Sequence, residues 1–308
     1  MDIILSVATQ LGPVLEELVS GVLSTKVLRK ILSKCPRLKK VKLYRLKNYS
    51  LPILRDLEEL EIVDGAHTDI VRLAPNLRKL RVRCNLHLAL AVIEELPLEH
   101  LECNLPIKVN HHLRYLSKET RLTTLVLCES IIVQEDLVQL CKSCPLLIKL
   151  WFNTTWITSL HCLATLKHLK VISFGIESTL HTESDLVLPN IEMLVLSSNR
   201  PIHLSDSMRH VFPSVHFLRL NSLRTFYSPD QFRLGEAFPQ LVRLELNSLV
   251  YDTHLECMIE KSTQLATLRE LAVDQVKFKE LTAVSRQQLQ RCQIAYSSRM
   301  KDLFDTFW

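Results

Sequence analysis

Aliphatic residues recur along this chain in the pattern aliphatic-x-x-aliphatic-x-aliphatic, with the first position at Leu38, Leu57, Leu77, Leu98, Leu122, Leu147, Leu169, Ile191, Val215, Leu241 and Leu268. Successive starts lie 19 to 27 residues apart. That length holds one short strand and a return segment. Such a unit is too small to bury its own apolar face, so neighbours must stack and share a core. Period two within the strand sends the first, fourth and sixth positions inward and offers the second, third, fifth and seventh to the opposite surface. Proline marks the strand entries at Cys35-Pro36, Ala74-Pro75, Cys144-Pro145, Leu188-Pro189, Phe212-Pro213 and Phe238-Pro239. It ends a helix and favours an extended approach to the next strand. Helical patterning is read at Val14 to Val22, Lys26 to Ser33, Leu137 to Cys144 and around Val284 to Arg299.

The spacing falls in the leucine-rich-repeat range of about 20–29 residues. It predicts an α/β leucine-rich-repeat solenoid, a horseshoe with a parallel concave sheet and a helical or irregular convex side. About eleven repeats are expected over residues 35–276, between an amino-terminal helical cap at 1–34 and a carboxy-terminal helical cap with an aromatic tail at 277–308. Composition agrees with one soluble body: 47% hydrophobic, 23% charged and only 6% aromatic, with aliphatics carrying the core. The longest uncharged stretch, Leu150 to Leu166, contains Asn153, Thr154, Thr155, Thr158, Ser159 and His161 and is too polar and short to span a bilayer. No basic leader precedes the short apolar run Ile3 to Ala8, so no signal peptide is expected.

Cysteine usage points to a reducing compartment. Nine cysteines is an odd number without paired flanking frameworks, so reduced thiols in the cytoplasm or nucleus are expected, and the sequons at Asn48 and Asn153 are read as chance. Two cysteines stand in Cys35-Pro36-Arg37-Leu38 and Cys144-Pro145-Leu146-Leu147. In the most complete unit, Leu122-Thr-Thr-Leu125-Val-Leu127-Cys128 is followed by Ile131-Ile132, the helical Leu137 to Cys144, and Pro145. This resembles the cysteine-containing subclass of leucine-rich repeat in F-box proteins, over about Val27 to Val273. The resemblance implies that the repeats recognise a target protein, which a separate F-box hands to the adaptor and cullin of a ubiquitin ligase. Residues Met1 to Lys34 lack the Leu-Pro-x-Glu opening and terminal tryptophan of such a box. The alternative is a scaffold or inhibitor that binds a protein without an F-box, resembling ribonuclease inhibitor but without its regular long repeats and abundant asparagine.

Catalytic signatures are missing from the sequence. Gly12, Gly21, Gly65, Gly175 and Gly235 are scattered singly, so no glycine-rich phosphate loop or dinucleotide fingerprint can form. Neither a His-Glu-x-x-His nor a nucleophile elbow is found. Cys141 and Cys144 have Cys-x-x-Cys spacing without the further ligands a structural zinc needs, and His111-His112 reads as a solvated start of a return segment. We therefore expect a non-enzymatic chain with no cofactor and no metal.

The register assigns the surface. Lys39, Lys40 and Lys42 are followed, strand by strand, by Glu58, Glu59 and Glu61, then Arg78, Lys79, Arg81 and Arg83, then Glu99, His100 and Glu102. Such rows can pair laterally across strands about 4.8 Å apart. With a net charge of only +5 and acidic rows interrupting the basic ones, a nucleic-acid partner is not expected. Later strands present Val126, Trp151, Val171, Met193, Val195, Phe217 and Arg219 instead. These predict an exposed apolar patch of several hundred Å² that binds a protein, with Trp151, Met193 and Phe217 at its centre. On this reading Trp151→Glu leaves folding intact. The competing reading is that a return loop or the tail Asp302 to Trp308 covers these residues, with Trp156 buried beneath an ascending loop.

Overall fold

The computed structural model describes residues 9–45, 51–64, 70–85, 95–104, 120–157, 159–175, 185–198, 207–222, 233–247, 262, 265–274 and 293–297. The chain divides into two compact units, 1–152 and 153–308.

In the first unit the elements are β1 (Glu17–Ser20), α1 (Thr25–Leu32), β2 (Lys40–Arg45), β3 (Glu59–Asp64), α2 (Ile70–Leu73), β4 (Lys79–Asn85), β5 (His100–Asn104), β6 (Thr124–Val133), α3 (Gln134–Ser143) and the start of β7 (Lys149–Trp156). Strands β1 to β6 pair in chain order, all parallel. The second unit holds β8 (Val171–Gly175), β9 (Met193–Ser198), α4 (Ser207–Val211), β10 (Phe217–Ser222), α5 (Leu234–Ala237), β11 (Arg243–Asn247), β12 (Glu270–Asp274) and β13 (Gln293–Ser297). Its strands β8 to β13 are again parallel and in chain order. The architecture is therefore α/β with parallel strands, each following its predecessor.

Inward positions are those the periodicity assigns. Leu38, Val41 and Leu43, then Leu57, Leu60 and Ile62, then Leu77, Leu80 and Val82 are all buried, as are Ile191, Leu194, Leu196, Leu241, Leu244 and Leu246. Each such leucine, taken fully out of water, contributes about 1.5–3 kcal/mol. Strand entry is equally regular. At Ala74, Cys144, Leu188, Phe212 and Phe238 the residue before the proline is buried and its carbonyl accepts the N–H three residues on, as Leu77 to Ala74 at 3.2 Å, Leu147 to Cys144 at 3.3 Å and Leu241 to Phe238 at 3.2 Å. Proline fits the second position of that turn because its φ is already fixed there. The next two N–H groups then share one carbonyl of the preceding strand, as Glu58 and Glu59 do on Lys39, and Val242 and Arg243 on His216. This shared acceptor sets the lateral register.

Two helical expectations give way to strands. Residues 14–22 begin at the last residue of a short 3₁₀ turn, Gly12–Val14, and then form β1 rather than a helix. Only four residues are extended there, and pairing with β2 decides their state over local propensity. Gly12 is buried where a Cβ would strike the Lys34 carbonyl, so only glycine lets this turn approach the end of α1. Likewise Gln293–Ser297, inside the helix expected around Val284 to Arg299, is a strand paired with β12. The helices at Lys26 to Ser33 and Leu137 to Cys144 are found as α1 and α3. In α1, Val27, Leu28, Ile31 and Leu32 form the buried stripe that one-sided burial of a helix requires.

Candidate functional site

Parallel register turns the outward positions into continuous rows. In the first unit one row runs Glu17, Lys40, Glu59, Lys79, His100, Thr124, and the next runs Val19, Lys42, Glu61, Arg81, Glu102, Val126. Opposite charges meet laterally: Lys42 Nζ lies 2.8 Å from Glu61, Lys79 Nζ 2.9 Å and Lys40 Nζ 3.6 Å from Glu59, and Arg81 Nε 3.5 Å from Glu102. Burial opposes ionisation of Glu59, but the hydrogen bond and charge of Lys79, with Lys40 beyond, outweigh it and hold the carboxyl below its ordinary range. Most of these pairs are partly solvated and each contributes at most about 1 kcal/mol. Collectively they favour this strand order, because a strand paired with its next-but-one neighbour would set like charges side by side.

Solvent access falls along these rows. Lys40 is 55% exposed, whereas His100 and Thr124 are 2% and Val126 is 6%. His100 accordingly stays neutral: burial first, then the charges of Arg81, Lys79 and Lys149, push its pKa down to about 3. Trp151, between the inward Leu150 and Phe152, is 8% exposed.

The second unit carries the remaining candidates. Val171, Met193, Phe217, Arg243 and Glu270 form one outward row, and Ser173, Val195, Arg219, Glu245 and Ala272 the next. Met193, Val195 and Phe217 make one apolar cluster with Val171 packed against it. The register therefore brings together five of the expected residues, Val171, Met193, Val195, Phe217 and Arg219, while Val126 and Trp151 belong to the first unit.

These residues are not exposed, contrary to the open patch the register predicts. Met193 is 9%, Phe217 4%, Val195 1% and Arg219 0% exposed, with Val171 half-buried. They do sit on the outward face, because the intervening Leu194, Leu218 and Leu220 line the inner core. Alternation determines which face a side chain takes, and not whether solvent reaches that face. Trp151→Glu is accordingly no surface substitution. The Trp156 side chain, His111-His112 and the segment Asp302 to Trp308 lie outside the described residues.

At the centre of the buried face is a charge network the sequence reading left out. Arg219 Nε donates to Glu245 Oε2 at 2.6 Å and its Nη2 lies 2.5 Å from the same oxygen, both side chains being fully buried. Glu245 Oε1 accepts from Arg243 Nη2 at 2.6 Å and Nε at 3.0 Å. The Arg243 guanidinium also lies 4.9 Å above the centre of the Phe217 ring and reaches Glu270 at 3.2 Å. Two arginines and two glutamates thus neutralise one another, which such depth demands. Arg219 Nη1 is buried without a hydrogen-bond partner among the described residues. Strand register could have found Arg243 and Glu245, since in Leu241-Val-Arg-Leu-Glu-Leu they hold the places of Phe217 and Arg219 one strand earlier.

Cys35, Cys141 and Cys144 behave as packing groups. Cys35 and Cys144 are wholly buried and Cys141 nearly so, and burial raises the Cys35 and Cys144 thiols above the ordinary range. Thr120 Oγ1 donates to the Ser143 carbonyl at 2.7 Å and lies 3.4 Å from Cys144 Sγ, which closes the end of α3. Among the described residues no three His, Cys, Asp or Glu side chains converge to hold a metal ion, and no helix is long and apolar enough to cross a membrane. No family model matches the chain, and no curated protein matches it either.

Proposed function

We propose that the chain is built of leucine-rich repeats of the cysteine-containing kind and binds a protein through the outward faces of its strands. On this reading it is the target-recognition part of an F-box-type ubiquitin ligase and acts by binding rather than catalysis, in the cytoplasm or nucleus. The observation that carries the reading is the coincidence of three features in each complete unit: a helix ended by a buried Cys-Pro or equivalent, a turn closed on the first aliphatic, and a parallel strand entered through two N–H groups on one carbonyl. Outward positions on such strands vary freely while the core repeats, and they hold Trp151, Met193, Phe217 and Arg219, residue types that anchor interfaces. A target would engage the open charged rows directly, and the apolar rows after local opening, with the ordering cost that entails.

The test is affinity capture of the tagged chain from its native cell extract, with Val171→Asp in parallel as the more accessible edge of the apolar cluster. Recovery of a cullin and its adaptor, together with proteins lost in the variant, is the expected result. Capture of neither adaptor nor cullin, with other proteins retained, would replace the ligase role by that of a stand-alone scaffold.

A further inference from the structure

Among the described residues the far edge of β1 is unpaired, and the charge rows specify the chemistry that would cover it. Strand β1 is first in strand order, and among the described residues it pairs only with β2. Glu16 O already accepts from Lys39 and Lys40, so alternation turns the backbone groups of Glu17 and Val19 to the open side. Exposed edges of this kind are templates for an added strand. Around this one Leu11, Val14, Val19 and Val22 are 53%, 66%, 66% and 72% exposed, the largest such values among the described large hydrophobics.

Charge decides what would cover them. Sign alternates at each step across the sheet, in the row Glu16, Lys39, Glu58, Arg78, Glu99 and in the row Glu17, Lys40, Glu59, Lys79. Both rows reach β1 on a glutamate. Lys39 Nζ meets Glu16 at 2.9 Å, whereas Lys40 is drawn to Glu59 and no ion pair forms at Glu17 among the described residues. The third row ends on the apolar Val19. We propose that β1 docks an extended segment of a partner protein bearing two successive Lys or Arg residues opposite Glu16 and Glu17 and an aliphatic residue opposite Val19. Main-chain pairing gives affinity, and the glutamates select the basic segment over acidic ones. Glu17 and Val19 also begin the charged rows proposed for target recognition, but strand addition to the edge is read by the peptides alone, whereas that reading is tested by the proteins captured from extract, so the two can fail separately.

The experiment uses the full chain and blocked fluorescent heptapeptides, read by anisotropy. One peptide, Leu-Lys-Lys-Val-Val-Leu-Tyr, follows residues 38–44 with Val in place of Lys42, and a control replaces both lysines by glutamate. The lysine peptide is expected to bind at least about tenfold more tightly at low salt, the preference shrinking as salt rises. Glu17→Lys should narrow it to under about threefold, and Val19→Lys should weaken the lysine peptide about tenfold. Both positions are exposed, so circular dichroism should stay that of the parent. Equal binding of the two peptides, no binding of either, or indifference to Val19→Lys would overturn the proposal. So would a concentration-dependent dimer in sedimentation velocity that Val19→Lys abolishes, because the edge would then belong to a second copy.

Discussion

Glu245→Ala removes the acceptor shared by Arg219 and Arg243, and the response measures how closed the outward face of the second unit is. Arg219 is 0% exposed and takes its only described partner from Glu245, so the variant leaves a guanidinium desolvated and unpaired. Breaking a buried pair in this way costs about 3–5 kcal/mol, against at most about 1 kcal/mol for a pair that water reaches. For a body of 150–250 residues each kcal/mol moves Tm by about 2–4 °C, so a fall of about 6–20 °C is expected. Urea and thermal unfolding followed by far-ultraviolet circular dichroism would measure it. Arg219→Met combined with Glu245→Leu should recover most of the loss, because no buried charge is then left unpaired. A cost below about 1 kcal/mol for Glu245→Ala would refute the closed face. A double variant as unstable as the single one would assign the loss to shape instead of charge.

Further outcomes follow from the same burial. Trp151→Glu should lower stability by at least about 3 kcal/mol where Trp151→Phe costs about 1 kcal/mol, as read by urea midpoint, because a carboxylate cannot remain charged at 8% exposure. His100, with its pKa depressed to about 3, binds a proton in the unfolded chain below its ordinary 6.5 but not in the folded one, so stability falls with falling pH through that window. Between pH 7 and 5 the loss should be about 2 kcal/mol, and His100→Leu should remove it from the pH profile of the urea midpoint. In the native protein Cys162, partly exposed, should alkylate readily while Cys35 and Cys144 stay unmodified until denaturant is added, as read by peptide mass spectrometry.

Much of the fold is legible locally. The inward triplets Leu57, Leu60, Ile62 and Leu77, Leu80, Val82 are read from spacing alone, because period two and burial on one face are properties of a strand by itself. The ends are not. Glu17-Leu-Val-Ser and Gln293-Ile-Ala-Tyr-Ser are too short to declare a state, and each becomes a strand because a neighbouring strand offers a ladder. The candidate site divides in the same way. Register groups Val171, Met193, Val195, Phe217 and Arg219 correctly, whereas their removal from solvent depends on contacts from outside the strand and has no period to betray it.

By itself, then, the sequence determined the spacing of the strands, the parallel α/β arrangement, the inward aliphatics and the lateral order of charges, since each follows from residues a few positions apart or from one strand set beside the next. Only the tertiary structure decided that Arg219 and Glu245 meet fully buried, that His100 is held neutral, that the apolar outward row is closed, and that β1 stands first among the described strands with Val19 open. Those properties belong to surfaces rather than strands. Exposure is settled by whatever else the chain brings against a face, over separations that no local pattern records.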